Sequence, residues 1–198
     1  MIVYVAPPRG KLEKIAFTNW LESYGFVPIW LDDSFTTMEG PLILCGGADI
    51  GVRPERDLNE NKWIDMALAN NQTIIGVCRG MQVLNLYFGG EVADIDCDIL
   101  EYHKNDDFSD DTDHSHRLSQ FHKIEDSNKN ILTVNSRHHQ HCSRVADNFT
   151  VTHTALPDGL VAEAFEDISR NIWAVQWHPE RTESQDNMYP LNKIVNNF

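Results

Sequence analysis

Basic residues are scarce in this 198-residue chain: 16 Lys+Arg stand against 30 Asp+Glu, a formal charge of −14. Such a surface repels phosphate backbones and anionic membranes, which argues against nucleic-acid binding. Cysteine is sparse and scattered. Cys45, Cys78, Cys97 and Cys142 form no C-x-x-C pair, so neither a zinc ribbon nor a thioredoxin-like redox pair is encoded, and the four are read as reduced thiols. Long apolar runs are missing too. Ile2 to Ala6 is followed at once by Pro7-Pro8, without the basic start and the roughly 7–15 apolar residues of a secretion signal, and no window approaches the roughly 18 of a membrane span. The expectation is a soluble cytoplasmic protein. Repeats, linkers and low-complexity tracts are absent as well, and 41% hydrophobic with 23% charged residues is ordinary globular usage. One domain over 1–198 is expected.

What is present is an alternation of short apolar runs with helical patterns, the signature of βαβ units and a parallel sheet. Strands are predicted at Ile2–Ala6, Val27–Leu31, Pro41–Cys45 and Thr73–Val77. Between them, Leu12, Ile15, Ala16, Trp20 and Tyr24 mark a helix ended by Gly25, and a second helix runs from about Leu58 to Asn70. Met81 to Phe88, apolar nearly all round, reads as a covered helix. From Glu91 to about Asn130 the pattern weakens into a long polar connection holding the acidic run Asp106–Asp113. Strands follow at Leu132–Asn135, Phe149–Thr152, Val161–Phe165 and Ile172–Trp177, then a helix carrying Leu191, Ile194, Val195 and Phe198.

Gly76-Val-Cys78-Arg-Gly80-Met-Gln82 carries the chemistry. A strand delivers a cysteine to a tight turn that opens a helix, which is the geometry of a nucleophile elbow. Sulfur at a helix N-terminus faces unpaired N–H groups and the positive end of the dipole, and both favour thiolate. The N–H of Arg79 would point where a tetrahedral oxyanion forms, and Gly46-Gly47 after a neighbouring strand would supply a second donor through Gly47. A thiolate needs a proton donor for its leaving group. Trp177-His178-Pro179-Glu180 offers His178 as acid and base and Glu180 as the group that orients it. Strand ends converge at the carboxyl edge of a parallel sheet, so Cys78 and His178 meet there despite their separation in sequence.

Gly-x-Cys-x-Gly-x-Gln, His-Pro-Glu after a strand and Gly-Gly after another together resemble a class I glutamine amidotransferase domain. The resemblance is closest to the γ-glutamyl hydrolases related to γ-glutamyl-γ-aminobutyrate hydrolase. It extends from about Leu44 to Glu180 through Cys45-Gly-Gly-Ala-Asp-Ile50, Val77-Cys-Arg-Gly-Met-Gln-Val-Leu-Asn85, Val134-Asn-Ser-Arg-His138-His-Gln140, Pro157-Asp-Gly159 and Ala174-Val-Gln-Trp-His178-Pro-Glu180. Cys45 replaces that family's proline, and Glu60 falls where its helix often carries Glu. The resemblance implies a flavodoxin-like three-layer sandwich with a mostly parallel central sheet. It further implies a γ-glutamyl thioester on Cys78, with Gly46, Gln82, Asn135, Ser136, Arg137 and His138 around the glutamyl head.

Other residues have plainer readings. Cys45, Cys97 and Cys142 lack a helix start and a histidine, so they are ordinary thiols. His103, His114, His116, His122, His139 and His141 crowd the acidic region without ligand spacing, and neither metal nor cofactor is expected. His116 and His138 either line the cleft or serve the structure; Trp63 and Phe88 belong to the core. Three functions follow: a stand-alone γ-glutamyl amide hydrolase, a glutaminase subunit passing ammonia to a separate synthetase, or an inactive binding module on the same scaffold. The first is preferred; Cys78, His178 and Glu180 occurring together argue against the third, whereas the catalytic residues do not separate the first two, and the second requires a separate partner. The acidic connection is expected to wall the leaving-group site and to favour neutral or cationic amines.

Overall fold

A computed structural model describes residues 1–96, 120–157, 159–181 and 188–195. In chain order its elements are β1 (Ile2–Val5), α1 (Lys11–Ser23), β2 (Val27–Trp30), β3 (Leu42–Leu44), α2 (Pro54–Ala69), β4 (Ile74–Val77), α3 (Arg79–Tyr87) and β5 (Glu91–Asp94). Then come β6 (Gln120–Asp126), β7 (Ile131–Ser136), β8 (Gln140–Arg144), β9 (Thr150–Ala155), β10 (Ala162–Asp167), a 3-10 turn at Ile168–Arg170, β11 (Ile172–Val175) and α4 (Asn192–Val195).

Among the described residues nine strands form one sheet in the order β2-β1-β3-β4-β11-β10-β9-β6-β7. From β2 to β11 neighbours run parallel, and from β11 outward they run antiparallel. The α/β sheet expected from the sequence is therefore present, with an antiparallel wing beyond its doubly covered part. Every residue of β3, β4 and β11 is buried, as parallel strands covered on both faces require. Pro28, which cannot donate to a ladder, lies in the edge strand β2.

Side chains alternate between two cores, one on each face of the sheet. Ile43, Ile75 and Val175 join Phe17, Leu21, Leu191 and Ile194 on the side of α1 and α4. Leu44, Ile74 and Ala174 join Trp63, Ile64, Met81 and Leu84 on the side of α2 and α3. The result is three layers, with Trp63 in the core as expected. No helix among the described residues is long and apolar enough to cross a membrane.

Two local expectations are corrected. The connection expected over Glu91–Asn130 contains β5 and β6, and a further strand, β8, follows β7. Glu91-Val-Ala-Asp and Gln140-His-Cys-Ser-Arg lack an apolar alternation; they pair with each other antiparallel as a separate ribbon, an arrangement set by partners distant in sequence. Helix α2 starts at Pro54, before the expected Leu58, because proline is pre-organised for the first helical position. Cys97, His103, His114, His116, Asp106–Asp113, Asp158 and Phe198 lie outside the described residues.

Candidate active site

The elbow begins with β4. Cys78 N–H donates to Val175 O at 2.7 Å, which ties the residue to β11, and its own carbonyl accepts from Met81 and Gln82 N–H at 3.0 and 3.3 Å. Between these anchors Cys78 takes φ 52° and ψ −108°, a conformation that costs a side-chain-bearing residue about 1–3 kcal/mol. Gly80 makes the turn possible: a Cβ there would lie 2.2 Å from Leu44 O. Arg79 occupies the first position of α3, where an N–H has no acceptor within the helix.

His178 follows β11 and is buried beside Cys78. Its Nδ1 lies 2.6 Å from Glu180 Oε1. Burial opposes a charged ring here, yet the Glu180 carboxylate and the Cys78 sulfur outweigh it and raise the imidazole to a pKa of about 10. A Cβ built on Gly46 would sit 2.9 Å from His178 Cε1 and 3.6 Å from Cys78 Cβ. Only glycine lets that loop close over the pair. Asn135, at the end of β7, holds the main chain of His178 from the other side: its Nδ2 donates to His178 O, and its Oδ1 accepts from His178 N–H, both at 2.9 Å.

Beneath the Gly46-Gly47 loop is a buried ion network. Glu60 of α2 receives Arg56 Nε at 2.9 Å and Arg79 Nη1 at 2.5 Å, and Arg79 also pairs with Asp57. Arg56 Nη2 reaches the carbonyls of Cys45 and Gly46 at 3.0 Å. The Arg79 side chain thus points away from the sulfur, leaving only its main chain at the elbow. Beyond Arg56 a cavity of about 640 Å³ opens at the carboxyl ends of β1 and β2, walled by Pro7, Leu31, Asp32, Asp33, Glu55 and Trp63.

The remaining expected residues sit on the opposite side. Gln82 Nε2 donates to Gln140 O at 3.0 Å and to Gln176 Oε1 at 3.3 Å. Ser136 and His138 are buried and Arg137 is half-buried. His138 Nδ1 lies 3.0 Å from Gln140 O, and its Nε2 lies 3.7 Å from Glu163 Oε1, which His122 Nε2 also approaches at 3.1 Å. Three residues of the site were not singled out from the sequence: Arg56, Glu163 and Gln176; Asn135 was expected at the glutamyl head, not as the grip on His178. Two signals were present. Gln176 falls within the expected strand Ile172–Trp177, two residues before His178, and Glu163 is a carboxylate between the apolar residues Ala162 and Ala164. Among the described residues no cluster of three His, Cys, Asp or Glu is arranged to hold a metal.

A strand-borne cysteine, a carboxylate-held imidazole and a glycine loop closed over both have the parts for acyl transfer. Residues 46–180 match the Peptidase C26 family, and the chain belongs to it. That span opens at Gly46 and closes at Glu180. NtpR of Enterococcus hirae is 34% identical over 171 residues, 73% of this chain and 68% of that protein. The gamma-glutamyl-gamma-aminobutyrate hydrolase of Escherichia coli is 28% identical over 181 residues, 84% of this chain and 68% of that one. Among solved structures, PurLQS from Thermotoga maritima superposes with a TM-score of 0.69 over 99% of this chain and 98% of its own, at 18% identity. A glutamine amidotransferase from the same organism gives 0.68 over 91% and 76%, at 14% identity. These two likenesses concern the fold.

Proposed function

We propose that the protein hydrolyses a γ-glutamyl amide through a thioester on Cys78. Cys78 thiolate attacks the γ-carbonyl carbon, and the resulting oxyanion is held by the N–H groups of Gly47 and Arg79. His178 gives its proton to the departing nitrogen as the C–N bond breaks, and an amine leaves. Water then loses a proton to His178 and attacks the thioester; the C–S bond breaks, glutamate departs, and the thiolate and imidazolium are restored. Glu180 keeps Nδ1 protonated and the ring oriented throughout.

The glutamyl head lies between Gly46, Gln82 and the Asn135–Ser136–Arg137–His138 segment. With its Nε2 committed to Gln140 and Gln176, Gln82 offers Oε1 to the head's ammonium, and Arg137 supplies the positive charge for its carboxylate. The observation that carries this reading is the buried 2.6 Å contact between His178 and Glu180 next to a cysteine on an elbow.

Turnover of γ-glutamyl-p-nitroanilide with release of glutamate, abolished in Cys78→Ala, is the test; an active Cys78→Ala protein overturns the proposal. A second reading, a glutaminase subunit serving a separate synthetase, draws on the GMP synthase of Fusobacterium nucleatum, 33% identical over 127 residues, 64% of this chain and 22% of that protein. It predicts that glutamine outruns every other γ-glutamyl amide. An inactive binding module predicts no turnover of any of them.

A further inference from the structure

Asn135 grips the main chain of His178, and the His178 ring in turn faces the Cys78 sulfur. A second contact to that sulfur comes from Gln176, fully buried between Glu163 and Cys78. Its main-chain N–H donates to Glu163 O at 2.7 Å. Its side-chain Nε2 donates to Cys78 Sγ at 3.6 Å.

An amide can present either end to a sulfur, so something must fix which one. Gln82 does this. Its Nε2 carries two hydrogens; one goes to Gln176 Oε1 and the other to Gln140 O. With Oε1 of Gln176 already accepting, its NH2 is the end left for the sulfur. Gln140 O is itself held by His138 Nδ1, and His138 Nε2 faces the buried carboxylate of Glu163. Burial works against charge on Glu163, yet His122 and His138 hold its carboxyl below the usual carboxylate range. Hydrogen bonds thus run from His138 through Gln140 O, Gln82 and Gln176 to the nucleophile, with the ionised Glu163 facing His138 at 3.7 Å.

Resting on the hydrolase reading above, we infer that Gln176 is a further catalytic residue, whose N–H donor stabilises and aims the Cys78 thiolate, and that Gln82 is the positioning residue that fixes its amide. A donor to sulfur favours the charged form. It also opposes rotation of the thiolate away from the carbonyl carbon during attack. The charged groups around Cys78 are His178 with Glu180 behind it, Glu163 behind Gln176, and, toward α2, Arg79 and Arg56 with Glu60 and Asp57. None of them replaces a donor at the position of Gln176 Nε2.

The test is the pH dependence of iodoacetamide alkylation of Cys78, read beside kcat and KM on γ-glutamyl-p-nitroanilide. Gln176→Leu removes the donor at similar volume. Gln176→Glu keeps an acceptor for Gln82 Nε2 but puts a negative oxygen against the sulfur. The alkylation midpoint is expected to rise about one pH unit in Gln176→Leu and further in Gln176→Glu, with kcat falling at least tenfold and KM little changed. Midpoints equal to wild type in both variants overturn the inference. Should Gln176→Leu fail to fold, Gln176→Glu alone carries the test. Wild-type activity that survives Cys78→Ala defeats the hydrolase reading instead, a result separate from any shift of the midpoint.

Discussion

Asn135 and His178 are joined by two hydrogen bonds of 2.9 Å in opposite directions, the amide of Asn135 replacing a strand partner for the main chain of His178. Through this clamp the antiparallel wing of the sheet fixes a residue at the end of its parallel half. Asn135→Ala is expected to lower kcat about a hundredfold through misplacement of the imidazole, with KM nearly unchanged because the main chain of the segment remains. Steady-state kinetics check it; a change confined to KM would assign Asn135 to the substrate instead.

The described cysteines should separate by reactivity. Burial pushes the Cys45 thiol well above its ordinary value, and burial with help from Glu163 pushes Cys142 up to about 12. At pH 8 iodoacetamide should therefore modify Cys78 and leave these two intact, and Cys45→Ala and Cys142→Ala should keep activity. Peptide mapping of the alkylated protein decides the matter. Labelling of Cys45 or Cys142 before Cys78 would reject the assignment.

With its pKa raised to about 10, His178 stays protonated across neutral pH. Activity is lost on the alkaline side only as that proton leaves, so the upper arm of the kcat/KM profile should fall near pH 10. Glu180→Gln removes the carboxylate that raises the pKa, and the arm should move to lower pH. The same sign governs stability: the contribution of a raised histidine is complete below its unfolded value of roughly 6.5 and is lost as pH climbs through about 10. In rate, His178→Asn should approach the damage of Cys78→Ala, on the order of 10⁴-fold, with Glu180→Gln milder. A slower Glu180 variant would mean that the two roles are reversed.

Glu60 is the carboxylate shared by the buried Arg79 and the half-buried Arg56. Glu60→Ala leaves Arg56 and Arg79 without it and should destabilise the fold by about 3–5 kcal/mol. Denaturant unfolding measures this, and a loss below about 1 kcal/mol would show that water replaces the carboxylate without penalty.

On the hydrolase reading, the acidic sequence run Asp106–Asp113, which lies outside the described residues, is expected to favour amines without negative charge. A γ-glutamyl amino-alkyl amide should exceed glutamine in kcat/KM, and added salt should shrink the ratio. Faster glutamine turnover, or a ratio indifferent to salt, would favour the glutaminase subunit.

Much of this was legible in the chain itself. Parallel strands covered on both faces must be continuous apolar runs, so β1, β3, β4 and β11 announced themselves, and Gly76-Val-Cys78-Arg-Gly80 announced a turn that only small neighbours permit. The His-Pro-Glu segment pointed to the partner of Cys78 because strand ends of such a sheet converge. What only the tertiary structure decided depends on residues distant in sequence. The polar strands β5 and β8 exist because each completes the other's ladder. The grip of Asn135 on His178, the sharing of Glu60 by two arginines and the hydrogen bond from Gln176 to the sulfur are likewise made across elements. Each satisfies a buried polar group. Local sequence records that such a group is present, but its partner is chosen only when the layers close and water is gone.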